Sequence, residues 1–118
     1  MTTPVTSPFA FLWDEPASEP FTTLLRRRWD FLPVFDANGR LERFTGSFTW
    51  EEDGFVDALR VKSEKDAAAI RVDHAGGEVW ERDGDAFDIL CQLVELPAPS
   101  DPRAPRIVLG SAPRLWTP

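Results

Sequence analysis

The sequence of 118 residues has one cysteine, one histidine and no long apolar run, and each shortage excludes a class of protein. Because Cys91 has no second cysteine to pair with, a small secreted scaffold held by disulfides is excluded and a reducing compartment is expected. No apolar stretch approaches the roughly 18 residues of a membrane helix, and no basic segment followed by an apolar run opens the chain. We therefore expect a cytoplasmic protein that does not cross a membrane.

Signatures of catalysis and cofactor binding are also missing. A catalytic triad or a histidine-rich metal centre would have to include His74, which stands beside Ala75-Gly76-Gly77 in a pattern typical of a turn. That glycine pair lacks the lysine and following helix of a phosphate loop. Asp83-Gly84-Asp85 lacks the twelve-residue pattern of a calcium loop. Cys91 lies in acidic, partly apolar surroundings that should raise its pKa. We predict no catalytic residue, no metal site and no cofactor, which favours a non-enzymatic protein.

The charge balance is acidic. Thirteen Lys plus Arg against twenty Asp plus Glu leave a net charge of −7, which disfavours a nucleic-acid binder that works by general phosphate attraction. The one concentrated positive segment is Arg26-Arg27-Arg28, followed by Trp29, and it is a candidate contact for phosphate or nucleic acid. The alternative is a solvated basic face that pairs with the surplus carboxylates.

Alternating apolar and polar residues predict a sheet in the middle of the chain. The clearest case starts at Phe44 and continues to Glu51, with Phe48 and Trp50 on one face. Turn signals such as Asn38-Gly39 separate such segments. The predicted strands cover 29–36, 44–51, 55–62, 70–73 and 78–82, with a short strand at 106–110. The fold class is therefore α+β, an antiparallel β-meander of four to six strands packed against one main helix.

Helical patterns are fewer. The strongest covers about 85–96, where Leu90 and Val94 lie on the face that should pack on the sheet. Ser63 resembles an N-cap for a short helix through Ala67-Ala68-Ala69. Residues 21–28 fit a helix and a strand equally well, because their apolar residues satisfy both spacings.

Prolines concentrate near the two ends of the chain. Four lie in residues 1–20 and six from Pro97 onward, and we expect stiff extended segments there. In the first segment Phe9, Phe11 and Trp13 alternate, which predicts an edge strand or an arm laid across the core. We therefore divide the chain into an N-terminal arm at 1–20, an α+β core at 21–96, and a segment at 97–118. That last segment comprises a connector, the short strand and a C-terminal arm packed on the core.

A resemblance covers residues 55–118, which look like short uncharacterised proteins of actinobacterial type. The residues that carry it are Gly77-Glu78-Val79-Trp80-Glu81-Arg82, the helix end Leu96-Pro97-Ala98-Pro99, Asp101-Pro102-Arg103-Ala104-Pro105-Arg106, and Pro113 to Trp116. The resemblance implies a bacterial cytosolic origin. It implies no activity and adds no functional residue.

Aromatic residues give the strongest functional indication. Eleven of the fourteen lie in residues 1–55, and most of them should be core. Trp13 and Trp116 stand in proline-flanked segments, where they either clamp the two ends onto the domain or mark an exposed patch that another subunit covers. The candidate partner-binding residues are Trp13, Trp116, Arg26, Arg27, Arg28 and Trp29.

Three functions remain open at this stage. The leading hypothesis is an interaction or accessory module for a protein partner or a second copy, with acidic charge that steers it toward a basic partner. The first alternative is a small-molecule-binding or catalytic domain with a pocket between sheet and helix. The second is a regulator that contacts nucleic acid through Arg26-Arg27-Arg28.

Overall fold

A computed structural model describes residues 9–111, and Trp116 lies outside this range. A 3-10 helix, Ala10–Trp13, precedes all other elements. The helices are α1 (Ser18–Arg26) and α2 (Ala86–Glu95). The strands are β1 (Asp30–Phe35), β2 (Leu41–Trp50), β3 (Phe55–Ser63), β4 (Asp66–Val72), β5 (Gly77–Gly84) and β6 (Gly110–Ser111).

The six strands form one antiparallel sheet in chain order. Tight turns join β2 to β3 and β1 to β2, where Gly54 (φ +71°) and Gly39 (φ +77°) take the left-handed conformation that glycine adopts without strain. Only β5 and β6 are joined through a helix among the described elements. The predicted α+β meander packed on a helix is thus confirmed.

Residues 21–28 were predicted as either a helix or a strand, and the structure shows a helix, since α1 continues to Arg26. Its buried residues are Pro20, Phe21 and Leu24, of which Phe21 and Leu24 lie three apart and face the core together. Pro20 sits in the first turn, where the missing N–H breaks no helical hydrogen bond. The spacing of apolar residues in this segment is compatible with a helix and with a strand. Burial of one helical face in the core decides in favour of the helix.

The predicted edge strand at Phe9, Phe11 and Trp13 is wrong. The segment forms the 3-10 helix Ala10–Trp13, and Phe9 at its N-cap and Leu12 within it, three residues apart, are both buried in the core cluster. Trp13 is 69% exposed and contacts Phe21 edge to face at a centroid distance of 5.3 Å. The described part of segment 1–20 comprises the 3-10 helix, a turn and the start of α1, and it contributes to the core.

The predicted short helix at 67–69 is also wrong, because these alanines belong to β4. Ala67 and Ala69 alternate onto the face that α2 covers, and both are buried. Pairing with β3 and β5 on both sides outweighs the helix propensity of alanine. The strand predicted at 106–110 is reduced to β6, which pairs with β5 only at Gly77 and Glu78.

The core lies between one face of the sheet and the two helices. The Asp85 side chain caps α2 by accepting a 3.0 Å hydrogen bond from the Phe87 N–H. Leu90 is buried against the sheet as predicted, whereas Val94 is half-buried. Within residues 9–111 no helix has both the length and the apolar character needed to span a membrane.

Candidate functional site

Three of the predicted site residues lie together directly after the end of α1. The Arg28 N–H donates to the Leu25 carbonyl at 3.1 Å, and the Trp29 N–H donates to the Leu24 carbonyl at 3.2 Å. This pair of bonds is a Schellman motif, and it requires a left-handed residue after the helix, here Arg28 with φ +67°. The chain therefore turns directly into β1 and places Trp29 in the core.

We expect Arg28→Gly to raise the free energy of unfolding by about 0.5–1 kcal/mol, because glycine adopts the left-handed conformation without the Cβ clash. Urea denaturation measures the change. Arg27→Gly is the matched control: Arg27 has φ −81° and its guanidinium donates to the Val94 carbonyl at 3.0 Å, so its replacement should destabilise. A loss of stability in Arg28→Gly would contradict this account.

Three aromatic rings form a wall beside this turn. Phe48 and Trp50 alternate onto the helix-covered face of β2, as the period-two pattern predicts. Trp29 stacks on Phe48 with centroids 6.3 Å apart, and Phe48 meets Trp50 edge to face at 4.9 Å. Phe31 extends the row, 6.1 Å from Trp29. Contacts of this kind hold rings in fixed relative orientations.

Beneath Trp50 lies a buried ion pair. Asp57 on β3 faces Arg71 on β4, and the guanidinium donates to both carboxylate oxygens, at 2.6 Å from Nε and 2.9 Å from Nη2. The Trp50 Nε1–H donates to Asp57 Oδ2 at 3.0 Å, and Arg71 Nη1 donates to the Pro97 carbonyl at 2.6 Å. The pair thus fixes the Trp50 ring and the segment that follows α2, with its polar atoms satisfied inside the fold.

Two cavities open on the aromatic wall, and we call them together the Trp50 cleft. Both contact Phe48 and Trp50. The inner cavity has a volume of about 270 Å³ and is completed by Arg27, Trp29, Asp57, Leu93 and Leu96. The outer cavity has a volume of about 570 Å³ and is completed by Arg28, Asp30, Thr49, Glu51, Glu52, Asp53, Ala98 and Ser100.

The rim of the outer cavity is negatively charged. Its lining contains four carboxylates, three of them in the turn after Trp50 and the fourth on Asp30, against the single guanidinium of Arg28. The guanidinium of Arg27 is held at the Val94 carbonyl. An aromatic wall with a carboxylate rim offers a positively charged group both cation–π contact and ion pairing.

Only some of the predicted site residues line the cleft. Arg27, Arg28 and Trp29 line it, whereas Arg26 does not, and Trp13 contacts Phe21 outside the lining. Sequence reasoning missed Asp57 and Arg71. Their signal is a charged residue at an inward position of an otherwise apolar strand, which indicates a buried pair.

The two residues considered for catalysis lie elsewhere. His74 is exposed in the turn between β4 and β5. Burial raises the pKa of the Cys91 thiol, and the nearby carboxylates of Glu95 and Asp88 raise it further, as predicted. A thiol of raised pKa is a poor nucleophile near neutral pH. Across the described range 9–111, no group of three or more His, Cys, Asp or Glu is arranged to hold a metal ion.

One further titratable group is buried on β5, outside the cleft. Glu78 on β5 is 7% exposed, and its Oε1 has no hydrogen-bond partner among residues 9–111. A hydrogen bond with the Glu81 side chain, burial and the negative charge of Glu81 raise the pKa of Glu78 from 4.5 to about 7. The folded state therefore favours the protonated form of Glu78.

This carboxyl makes stability depend on pH. Because the pKa of Glu78 is higher in the folded state, its stabilising effect is complete below pH 4.5 and is lost as the pH rises through about 7. We expect Glu78→Gln to match the wild type at acidic pH and to exceed its free energy of unfolding by about 1–2 kcal/mol at pH 8. Urea denaturation at both pH values measures this, with Glu52→Gln as the exposed control. Equal pH slopes for Glu78→Gln and the wild type would contradict it.

The Trp50 cleft thus combines fixed aromatic rings, a satisfied ion pair and an acidic rim. Thr49 and Ser100 are the only hydroxyl side chains in its lining. Neither histidine nor cysteine is among its lining residues, so the lining offers no pairing of a nucleophile with an imidazole base. No known protein family, curated protein or solved structure matches this chain.

Proposed function

We propose that this protein is a non-enzymatic interaction module of the cytoplasm that binds a basic segment of a partner protein in the Trp50 cleft. The observation that carries the proposal is the acidic rim of Glu51, Glu52 and Asp53 directly beside the Phe48–Trp50 wall. A lysine or arginine of the partner would lie against the rings while the carboxylates neutralise its charge. The net charge of −7 would steer a basic partner toward the module.

The volumes of the cleft support a side chain as its occupant. The outer cavity of about 570 Å³ has room for one or two long side chains, and its open rim leaves a path for the partner's backbone. The inner cavity of about 270 Å³ falls just below the roughly 300 Å³ at which pockets for drug-sized ligands begin. The second candidate function is therefore binding of a small organic cation, which relies on the same chemistry.

The surroundings of the arginine cluster weigh against a nucleic-acid regulator. Arg27 is engaged by the Val94 carbonyl, and Arg28 shares the outer cavity with four carboxylates. Phosphates approaching Arg28 would meet this acidic rim, which repels them. We therefore propose that nucleic acid is not a partner.

The test is a titration of the full chain with a short arginine-rich peptide, followed by calorimetry at low salt. The rim variant Glu51→Gln, Glu52→Gln, Asp53→Asn should bind about tenfold more weakly, because three exposed ion pairs contribute about 1.5 kcal/mol together. The control variant Glu64→Gln, Asp66→Asn, Asp83→Asn removes the same charge at the opposite end of the sheet and should change binding far less.

Each outcome of the titration decides between the candidates. No peptide binding at low salt, or equal losses in the rim and control variants, would overturn the proposal. Binding of tetramethylammonium without binding of the peptide would assign the cleft to a small organic cation. Retardation of a DNA duplex that weakens steeply with salt would assign Arg26-Arg27-Arg28 to nucleic acid.

A further inference from the structure

A further cavity lies between the two helices, and we call it the α1–α2 groove. Its volume is about 340 Å³. Three half-buried side chains of α2 line its base at helical spacing, namely Phe87, Cys91 and Val94. The remaining lining residues are Glu15, Pro16, Glu19, Pro20, Thr23 and Glu95. The base of the groove is thus largely apolar, and its sides carry carboxylates.

The charge of the groove has one sign. Glu15, Glu19 and Glu95 are exposed, and no lysine, arginine or histidine is found among the described residues that line it. Burial raises the pKa of Cys91, and the charges of Glu95, Asp88 and Glu19 raise it further, so the negative potential reaches the base of the groove. Such a surface complements cationic side chains, whose aliphatic stems pack on apolar residues while their charged ends meet carboxylates.

The groove adjoins the Trp50 cleft. Leu93 and Leu96 of α2 line the inner cavity of the cleft. Val94 and Glu95, which stand between them in the sequence, line the groove. Arg27 lines the inner cavity, and its guanidinium donates to the Val94 carbonyl at 3.0 Å. One exposed hydrogen bond therefore marks the boundary between the cleft and the groove.

From this continuity we propose that the basic segment bound in the Trp50 cleft continues along the α1–α2 groove, so that the partner carries two basic clusters joined by a neutral stretch. The inference rests on the proposed function of the cleft. The rim carboxylates bind the first cluster, and Glu15, Glu19 and Glu95 bind the second. The neutral stretch lies beside Arg27, because the guanidinium repels a cationic side chain at that point.

Helix geometry gives the length of the neutral stretch. Arg27 follows Glu19 by eight residues, which corresponds to about 12 Å along α1. An extended chain covers this distance with about four residues, and the path onward to the rim adds to it. A flexible neutral linker of about eight residues should therefore join the two clusters without strain.

Calorimetry of the full chain with two peptides of equal length tests the extended site. The short-site peptide is an arginine-rich cluster with a neutral glycine–serine tail. The two-site peptide carries the same cluster, a glycine–serine linker of about eight residues and a second arginine cluster in place of the end of the tail. We expect the two-site peptide to bind about fivefold to tenfold more tightly, because its second cluster adds two or three exposed ion pairs.

A groove variant shows whether this gain arises in the groove. Glu15→Gln, Glu19→Gln, Glu95→Gln should abolish the gain and leave binding of the short-site peptide nearly unchanged, since these exposed side chains lie outside the cleft. The rim variant should weaken binding of both peptides. A general effect of net charge would instead weaken both peptides in the groove variant too, and that result would contradict the proposal.

Cys91 gives a second readout, because it is the only cysteine of the chain and lines the groove. A saturating amount of the two-site peptide should slow alkylation of Cys91 by a bulky neutral maleimide at least about fivefold, since the bound segment covers the thiol. The short-site peptide is the control and should not slow the reaction.

The outcomes separate the groove from the cleft. Equal affinities for the two peptides, a gain that survives in the groove variant, or alkylation of Cys91 that the two-site peptide does not slow would overturn the extended site and leave the cleft in place. Failure of both peptides to bind would overturn the cleft and the groove together. Protection of Cys91 that grows with the concentration of the chain alone would assign the groove to a second copy, which also overturns the proposal.

Discussion

Replacement of Arg71 by alanine is expected to lower the free energy of unfolding by about 3–5 kcal/mol. Arg71 is fully buried, and its guanidinium holds both carboxylate oxygens of Asp57 and the Pro97 carbonyl. Removing it leaves a buried carboxylate without a counter-charge, which costs more than the loss of the hydrogen bonds alone. For a domain whose total stability is about 5–15 kcal/mol, the loss is a third or more.

The chain contains a matched control for this prediction. Arg103 and Asp101 form the same kind of pair, with a 3.0 Å contact, but the Arg103 side chain is 81% exposed. Because water solvates both partners there, Arg103→Ala should leave the denaturation midpoint unchanged. Hydrogen bonds from the Arg103 guanidinium and from the Arg103 backbone N–H lower the pKa of Asp101 to about 2, and the shift should become smaller in the variant, which keeps only the backbone bond.

A double variant separates the missing counter-charge from the missing packing. Asp57→Leu combined with Arg71→Met removes both charges and keeps an apolar volume, so it should recover much of the stability lost in Arg71→Ala. Thermal and urea denaturation measure all three variants. A change below about 1 kcal/mol in Arg71→Ala would show that Asp57 is solvated and would contradict the buried pair.

Phe9→Ala is expected to lower the free energy of unfolding by about 3–4 kcal/mol. Phe9 is 2% exposed, and its ring meets Phe44 edge to face with centroids 4.8 Å apart. Truncation removes the buried ring and leaves a cavity against β2 that the surrounding residues fill only in part. An arm loosely laid on the domain would not produce a loss of this size.

Trp13→Ala is the matched control, since it deletes a larger ring four residues later from a side chain that is 69% exposed. Its contact with Phe21 is a single edge-to-face pair, so the expected loss is about 1 kcal/mol or less. Equal losses in the two variants would contradict the assignment of Phe9 to the core and Trp13 to the surface.

The ion pair also links stability to the proposed binding. Asp57 accepts from the Trp50 indole, and Arg71 holds Pro97, which precedes the cleft residues Ala98 and Ser100. A variant that loses the pair should therefore bind basic peptide more weakly even below its unfolding temperature. The rim carboxylates should act on binding alone, because they lie in an exposed turn.

The elements that sequence reasoning found correctly have strong local patterns. The helix at 85–96 combines a capping aspartate with an apolar face, and its observed bounds differ by one residue at each end. The segment from Phe44 to Trp50 alternates without interruption and forms β2. Patterns of this length are compatible with only one local structure, so the structure that they predict is the one found in the folded protein.

The wrong predictions share one cause. Ala67-Ala68-Ala69 prefers a helix when isolated, and Phe9, Phe11 and Trp13 alternate like a strand. In the fold the alanines give α2 close access to the sheet, and Phe9 and Leu12 are buried together, so burial decides both segments. The Trp50 cleft could not be predicted from the sequence for a similar reason. Arg27, Phe48 and Leu96 come together only when α1, β2 and the end of α2 pack against one another.

The α+β class, the chain order of the hairpins, the acidic charge and the candidate cluster Arg26-Arg27-Arg28 with Trp29 could all be predicted without the structure, although Arg26 does not line the cleft. These features follow from composition and from periodicity over neighbouring residues. The folded structure was needed to show which acids lie beside aromatic rings and which charges are buried as a pair. Those properties depend on strand register and on helix placement, and both are set by long-range packing that short-range patterns do not encode.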